Sequence, residues 1–241
     1  MIVLFTDFGL ADPYVGQLHA VLARDAPDVP VIDLFHAVPN FDIRAAAYLL
    51  PAYARQFPPG TVFLCVVDPG VGSARPAVML KADGCWYVGP DNGLFHLLVR
   101  RAAAYECHVI RWRPSKLSAS FHGRDLFAPV AAMLAHGEKP ESEPAALTAP
   151  AGEPWPEDLA QILYVDHYGN AVTGLRAGTI SPAQHLQVRK AIVKYARVFS
   201  EIPAGVPFWY ENANGLVEIA VNRGNAAATL ELQTGDPITL L

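Results

Sequence analysis

Pro140, Pro144, Pro150, Pro154 and Pro156 crowd the stretch between residues 137 and 158, set among Ala, Glu and Gly. Proline locks φ and lacks a backbone N–H, so a segment this rich in it sustains neither a helix interior nor a central strand. The stretch reads as a linker or a wrapped loop, and the chain changes style across it. Before it, short β-rich runs alternate with segments of helical period, the pattern of a parallel sheet with helices on its faces. After it, short β-type runs are split by Gly and Asn turns, which implies a small barrel or compact sandwich. At 241 residues the chain is long enough for two modest domains and for a core that needs no staples.

The clearest strands are expected at 2–5, 31–35 and 62–67, with others at 77–81, 86–88 and 108–110. Apolar residues at helical spacing cover 14–24 and 43–56, the second interrupted by Pro51, which kinks it or ends its first half. A further helix is expected from about 125 to 135. The later β-type runs are 161–165, 187–193, 206–210, 217–221 and 237–241. The fold class is therefore α/β. A Rossmann-like amino-terminal α/β domain with a mostly parallel sheet spans 1–150, ending in the proline-rich linker at about 137–158, and a small carboxy-terminal β-barrel domain spans 159–241.

Charge narrows the partners. The 18 Lys and Arg against 23 Asp and Glu leave a net charge of −5, which offers no broad attraction to a phosphate backbone or an anionic bilayer. No nucleic-acid partner is expected, and small cationic or zwitterionic ligands stay open. No apolar run reaches the roughly 18 residues of a membrane span without a charge or proline, and residues 1–5 meet Thr6-Asp7 too soon, without a basic leader, for a secretion signal. Cys65, Cys85 and Cys107 lack CxxC spacing, and two of them sit in apolar runs, which reads as reduced core thiols in a cytoplasmic protein.

In open α/β sheets ligands gather beyond the carboxyl ends of the strands, and three polar loops qualify. Residues 6–12 offer Asp7 and Asp12 on a short turn, although Asp12 before Pro13 also fits a helix N-cap. Residues 68–75 carry Gly70 and Gly72 between Asp68 and Arg75, which can pair with each other. The dinucleotide fingerprint fails there, because Arg75 occupies its third glycine position and Pro76 argues against a helix opening. Residues 121–125 place His122 and Gly123 ahead of a helix that Asp125 can cap. Residues 90–93 carry turn chemistry, and 166–170 and 212–215 look like hairpin turns. The chain has no GxSxG elbow and no HExxH helix. A metal site built from Asp7, Asp12, Asp68, His122 and Asp125 stays conceivable, and with it a metal-dependent phosphoesterase.

Taken together, TDFG with Asp12 (6–12), DPGVGSAR (68–75), PDNG (90–93), FHGRDLFAP (121–129), DHYGN (166–170) and GLVEIAVNRGNAA (215–227) resemble one family over nearly the whole chain. It is the S-adenosyl-L-methionine (SAM) hydroxide adenosyltransferases, or adenosine-forming SAM hydrolases, relatives of the fluorinase and chlorinase. The resemblance implies an α/β domain joined to a β-barrel, a homotrimer, and SAM bound where one subunit's amino-terminal domain meets a neighbour's barrel. It implies that Asp68, Arg75 and His122 surround the attacking water, with Gly123 amides completing its pocket. Asp7 and Asp12 belong to the substrate loop, Asp12 holding both ribose hydroxyls as a two-oxygen acceptor does well, and Phe41 packs on the ligand. In the barrel, Asp166 receives the methionine ammonium, Tyr168 is an aromatic wall, Asn170 reads the adenine edge, and Phe199, Asn225 and Ala226 are adenine contacts.

The implied reaction is hydrolysis of SAM to adenosine and L-methionine by in-line attack at C5′, with no metal and no redox cofactor. Two alternatives remain: a halogenase-like adenosyltransferase, and a protein that binds SAM or a nucleoside without reacting. In the halogenating relatives the positions of Asp68 and His122 are not that pair, and a halide beside a carboxylate in a partly dry pocket costs several kcal/mol. The chain departs from the family pattern at His19, where lysine is common, at Gly174, where asparagine is usual, and at 212–215, which lack the usual serine.

Overall fold

A strand that is apolar without alternation has to be covered on both faces, and β1 (Ile2–Thr6) is buried at all five positions. In the computed structural model of the chain, which describes residues 1–150 and 152–241, β1 lies inside the sheet of the first of two units, Met1–Glu153 and Pro154–Leu241. That unit continues with α1 (Tyr14–Asp25), β2 (Val31–Phe35), α2 (Ile43–Ala54), β3 (Val62–Val66), β4 (Ala77–Ala82), β5 (Cys85–Pro90), α3 (His96–Arg101) and β6 (Tyr105–Ile110). A π-helical turn at Gly123–Phe127 runs into α4 (Ala128–Ala135), and β7 (Ser142–Pro144) ends the series.

The sheet runs β2-β1-β3-β5-β4-β6-β7. Its first four strands are parallel, whereas β4, β6 and β7 pair antiparallel with their neighbours, so the sheet is mixed and not mostly parallel. The cause is local. Asp83 and Gly84, with φ of 47° and 85°, form a two-residue turn between Ala82 and Cys85, and a connection that short joins only antiparallel strands. Leu18 and Leu22 of α1 and Val130 and Ala131 of α4 pack with Ile2, Leu4 and Leu64 into the core on one side of the sheet. Cys65, Cys85 and Cys107 are buried and unpaired. Pro51 sits inside α2, which continues to Ala54.

The proline-rich stretch is more ordered than a linker. β7 lies inside it, adding Ser142–Pro144 to the sheet edge beside β6, a place where proline is tolerated. Thr148 donates from its backbone and its hydroxyl to buried Asp91, which wraps the segment onto the first unit. Residue 151, within the same stretch, lies outside the described residues.

The second unit holds β8 (Leu159–Val165), β9 (Ala171–Arg176), β10 (Leu186–Val188), β11 (Ala191–Tyr195), β12 (Pro207–Glu211), β13 (Leu216–Val221), a short α5 (Ala226–Leu230) and β14 (Ile238–Leu240). Its sheet runs β14-β10-β11-β12-β13-β9-β8 and is nearly closed by a bridge between Gln161 and Pro237. All pairings are antiparallel except β11 with β12. The run expected at 187–193 is two strands, turned at Arg189 with φ 50°. Gly174 stands where β8 and β9 cross closely: a Cβ there would lie 2.8 Å from the Leu159 carbonyl oxygen. Among the described residues, no helix is long and apolar enough to cross a membrane.

Candidate active site

Because β1, β2 and β3 are parallel, the loops that follow them leave the same edge of the sheet. Together with residues 120–123 they enclose a cavity of about 340 Å³ whose walls include Asp7, Asp12, Phe41, Asp68, His122 and Gly123. Gly72 sets the approach of two of these loops. Its φ is 82°, and a Cβ would lie 2.6 Å from the carbonyl oxygen of Ala119, so only glycine lets the 68–75 backbone settle on the segment leading to His122.

That approach assembles three side chains. Arg75 Nε donates to Asp68 Oδ1 at 2.7 Å, and its Nη2 donates to Asp68 Oδ2 and lies 3.1 Å from His122 Nδ1. The Asp68 and Arg75 side chains are 5% and 9% exposed, so this ion pair is almost dry, and the Arg75 guanidinium also rests over the Phe127 ring, 5.4 Å from its centroid. Burial, with Arg75 and Arg113 nearby, pushes the His122 imidazole below the ordinary histidine value, against the pull of Asp68 and Asp125. The shift favours the neutral imidazole.

The two carboxylates of the first loop have different fates. Asp12 does not cap α1, whose N-cap is Pro13 without a side-chain bond; it stands exposed in the cavity wall. Asp7 is raised in pKa by burial and accepts the backbone N–H of Phe41 at 3.0 Å. Phe41 has φ 65° and a largely exposed ring, so Asp7 pins a strained residue that presents an aromatic face to the cavity. Asp125 does not cap either: it accepts from Ser118 N at 2.8 Å and from Arg124, bracing the loop before His122. His19 pairs with Asp33 at 2.8 Å, which also meets His36, the buried partner of Thr6. Among the described residues no group of three His, Cys, Asp or Glu is placed to hold a metal ion.

The second unit has a cavity of about 510 Å³ lined by Asp166, Tyr168, Asn170 and Phe199, together with Tyr210, Glu218 and Arg223. Asp166 holds its own turn, accepting from the backbones of Tyr168 and Asn170 and from the Asn170 amide. Asn225 caps α5 through Ala228 N and packs under Gly169, while Ala226 is fully buried in the core; neither is among the residues lining that cavity. Sequence reasoning missed Glu218. It is 6% exposed, accepts from Tyr210 Oη and from Asn212 Nδ2, and burial pushes its carboxyl above the ordinary value. The signal was a lone acid at an inward position of an otherwise apolar strand, which needs a partner when buried.

Residues 2–143 match the SAM hydroxide adenosyltransferase N-terminal domain and residues 160–239 its C-terminal domain. The chain belongs to the SAM hydroxide adenosyltransferase family. Similar chains include an (R)-S-adenosyl-L-methionine hydrolase of Thermus thermophilus, 43% identical over all of this chain and 99% of that one, and another of Salinispora arenicola, 41% identical over 97% and 94%. A fluorinase of Nocardia brasiliensis is 26% identical over 57% of this chain and 54% of its own. Among solved structures, an uncharacterized conserved protein from Thermotoga maritima superposes with TM-score 0.87 at 32% identity, with both chains fully covered.

In Asp7→Ala, amide exchange at Phe41 should quicken by about tenfold or more, since a hydrogen bond to a charged group contributes about 1.5–3 kcal/mol; unchanged exchange would show that Asp7 does not hold the loop. For Glu218, the folded value lies above 4.5, so over the interval between them the folded chain binds more protons than the unfolded one, and stability falls as pH rises through the folded value. Glu218→Gln removes that loss, so its Tm minus that of the parent should grow between about pH 4 and pH 8, and a constant difference across that range would contradict the assignment.

Proposed function

We propose that this protein hydrolyses SAM to adenosine and L-methionine, with water or hydroxide attacking C5′ in line with the departing sulfur. One observation carries the reading: the part-buried Asp68–Arg75–His122 cluster stands in and behind the wall of a cavity that also presents Asp12. The relatives named (R)-S-adenosyl-L-methionine hydrolase support it.

The sulfonium is already a good leaving group, so the reaction calls on no metal or redox cofactor. The difficulty is a weak nucleophile, which must sit about 3–3.5 Å behind C5′ with protein groups in place of its hydration shell. On this reading Asp68 and His122 orient the water and one of the two takes up its proton, Arg75 holds both, and the Gly123 amide completes the pocket. The C5′–O bond forms as the C5′–S bond breaks, and the electron pair of the latter stays on the methionine sulfur. Asp12 takes the ribose hydroxyls and Phe41 packs on the ligand.

Asp166, Tyr168, Asn170, Phe199 and the backbone near Asn225 and Ala226 take the methionine and adenine ends in a homotrimer whose active sites combine the α/β domain of one subunit with the barrel of its neighbour. The parallel strands β2-β1-β3-β5 then play the Rossmann-like part, with the ligand loops at their carboxyl edge. The buried unpaired thiols fit a cytoplasmic enzyme.

Incubation with SAM in ¹⁸O-labelled water is expected to give adenosine with label at the 5′ oxygen, with Asp68→Ala or His122→Ala slowing turnover by about 10²–10⁴ while SAM still binds. Unlabelled adenosine, release of adenine, a halogenated nucleoside in the presence of chloride or fluoride, or variants slowed no more than about twofold would each overturn the reading.

A further inference from the structure

Arg75 and His122 meet in a way that fixes the position of a proton. A guanidinium carries donors only and is not deprotonated in proteins. With Arg75 Nη2 3.1 Å from His122 Nδ1, the ring nitrogen must be the acceptor, so Nδ1 has no proton and its lone pair is engaged. The neutral imidazole then carries its single proton on Nε2.

The charges around the ring favour that neutral form. Arg75 touches it, and Arg113, which donates to the carbonyls of Ile110 and Trp112 at 2.8 Å, adds a second nearby cation. The two acids that face it are already engaged, Asp68 by Arg75 and Asp125 by Arg124 and Ser118. Burial adds to the same effect.

A neutral imidazole protonated at Nε2 and occupied at Nδ1 has no lone pair free for another proton. Asp68 does. Each of its oxygens accepts one bond from Arg75, a carboxylate oxygen has two lone pairs, and Asp68 borders the same cavity as His122. We propose that His122 acts as a neutral donor, its Nε2–H holding the oxygen of the attacking water, and that Asp68 is the group that takes the proton.

This division of labour rests on the hydrolytic reading above. As the C5′–O bond forms, the water oxygen becomes positively charged and strongly acidic, so a carboxylate held by a guanidinium is base enough. The C5′–S bonding pair leaves on sulfur, the proton passes to Asp68 Oδ, and it returns to solvent once adenosine departs. The imidazole ends the cycle as it began.

Long-range ¹H–¹⁵N spectra of labelled protein, with His122 assigned by its loss in His122→Ala, read the tautomer without any turnover. A neutral ring protonated at Nε2 at pH 7 is expected, and an Nδ1–H tautomer or an imidazolium would overturn the proposal. In turnover, His122→Gln, which keeps an N–H near the Nε2 position, should run at least about tenfold faster than His122→Ala. Asp68→Asn should lose about 10²–10⁴, and raising the pH should not restore it. Equal losses in the Gln and Ala variants, or an active Asp68→Asn, would overturn the assignment. Absence of any adenosine from SAM would instead sink the hydrolytic reading while leaving the tautomer measurable.

Discussion

A nearly dry ion pair, Asp68 with Arg75, is the contact on which the first cavity depends. Burying two charges costs several kcal/mol per ion before their attraction and hydrogen bonds offset it, so such a pair is weak evidence for stability alone. Here the geometry is two-pronged, and the same guanidinium reaches His122. Removing either partner would leave a buried charge and let the imidazole turn. The chain after β3 that carries the pair approaches the backbone of Ala119 closely, an approach that Gly72 permits.

Two carboxylates of one short loop show how backbone context divides work. Asp7 and Asp12 both read as ligand candidates in the sequence, Asp12 also as a helix cap. The fold commits Asp7 to the Phe41 backbone and leaves Asp12 without a capping duty. One acid shapes the cavity and the other is available to what enters it. In the second unit Asp166 holds a turn while Glu218, buried beneath it, is held by Tyr210 and Asn212.

The strands with the strongest apolar runs, β1 and β3, were legible because burial on both faces leaves a continuous hydrophobic signature. The antiparallel half of the first sheet was not anticipated, although Asp83-Gly84 is a hairpin signal that outweighs the βαβ pattern around it. β7 was hidden by the prolines that an edge position tolerates. Of the site, the loops carrying Asp68, Arg75 and His122 were marked by residue type, but no spacing rule shows that positions 47 apart touch; that depends on a backbone contact at Gly72. Glu218 escaped because periodicity assigned its strand to the core and left its acid unexplained.

Hydrolysis at C5′ requires the 5′ end of the ribose to lie beside the Asp68–Arg75–His122 cluster when ligand is bound. A crystal structure of the protein with adenosine and methionine tests this directly. It should place the adenosine 5′ oxygen within about 3.2 Å of both the His122 Nε2 and an Asp68 oxygen, with the methionine sulfur on the far side of C5′. A 5′ carbon turned away from the cluster, or ribose hydroxyls occupying that place, would contradict it.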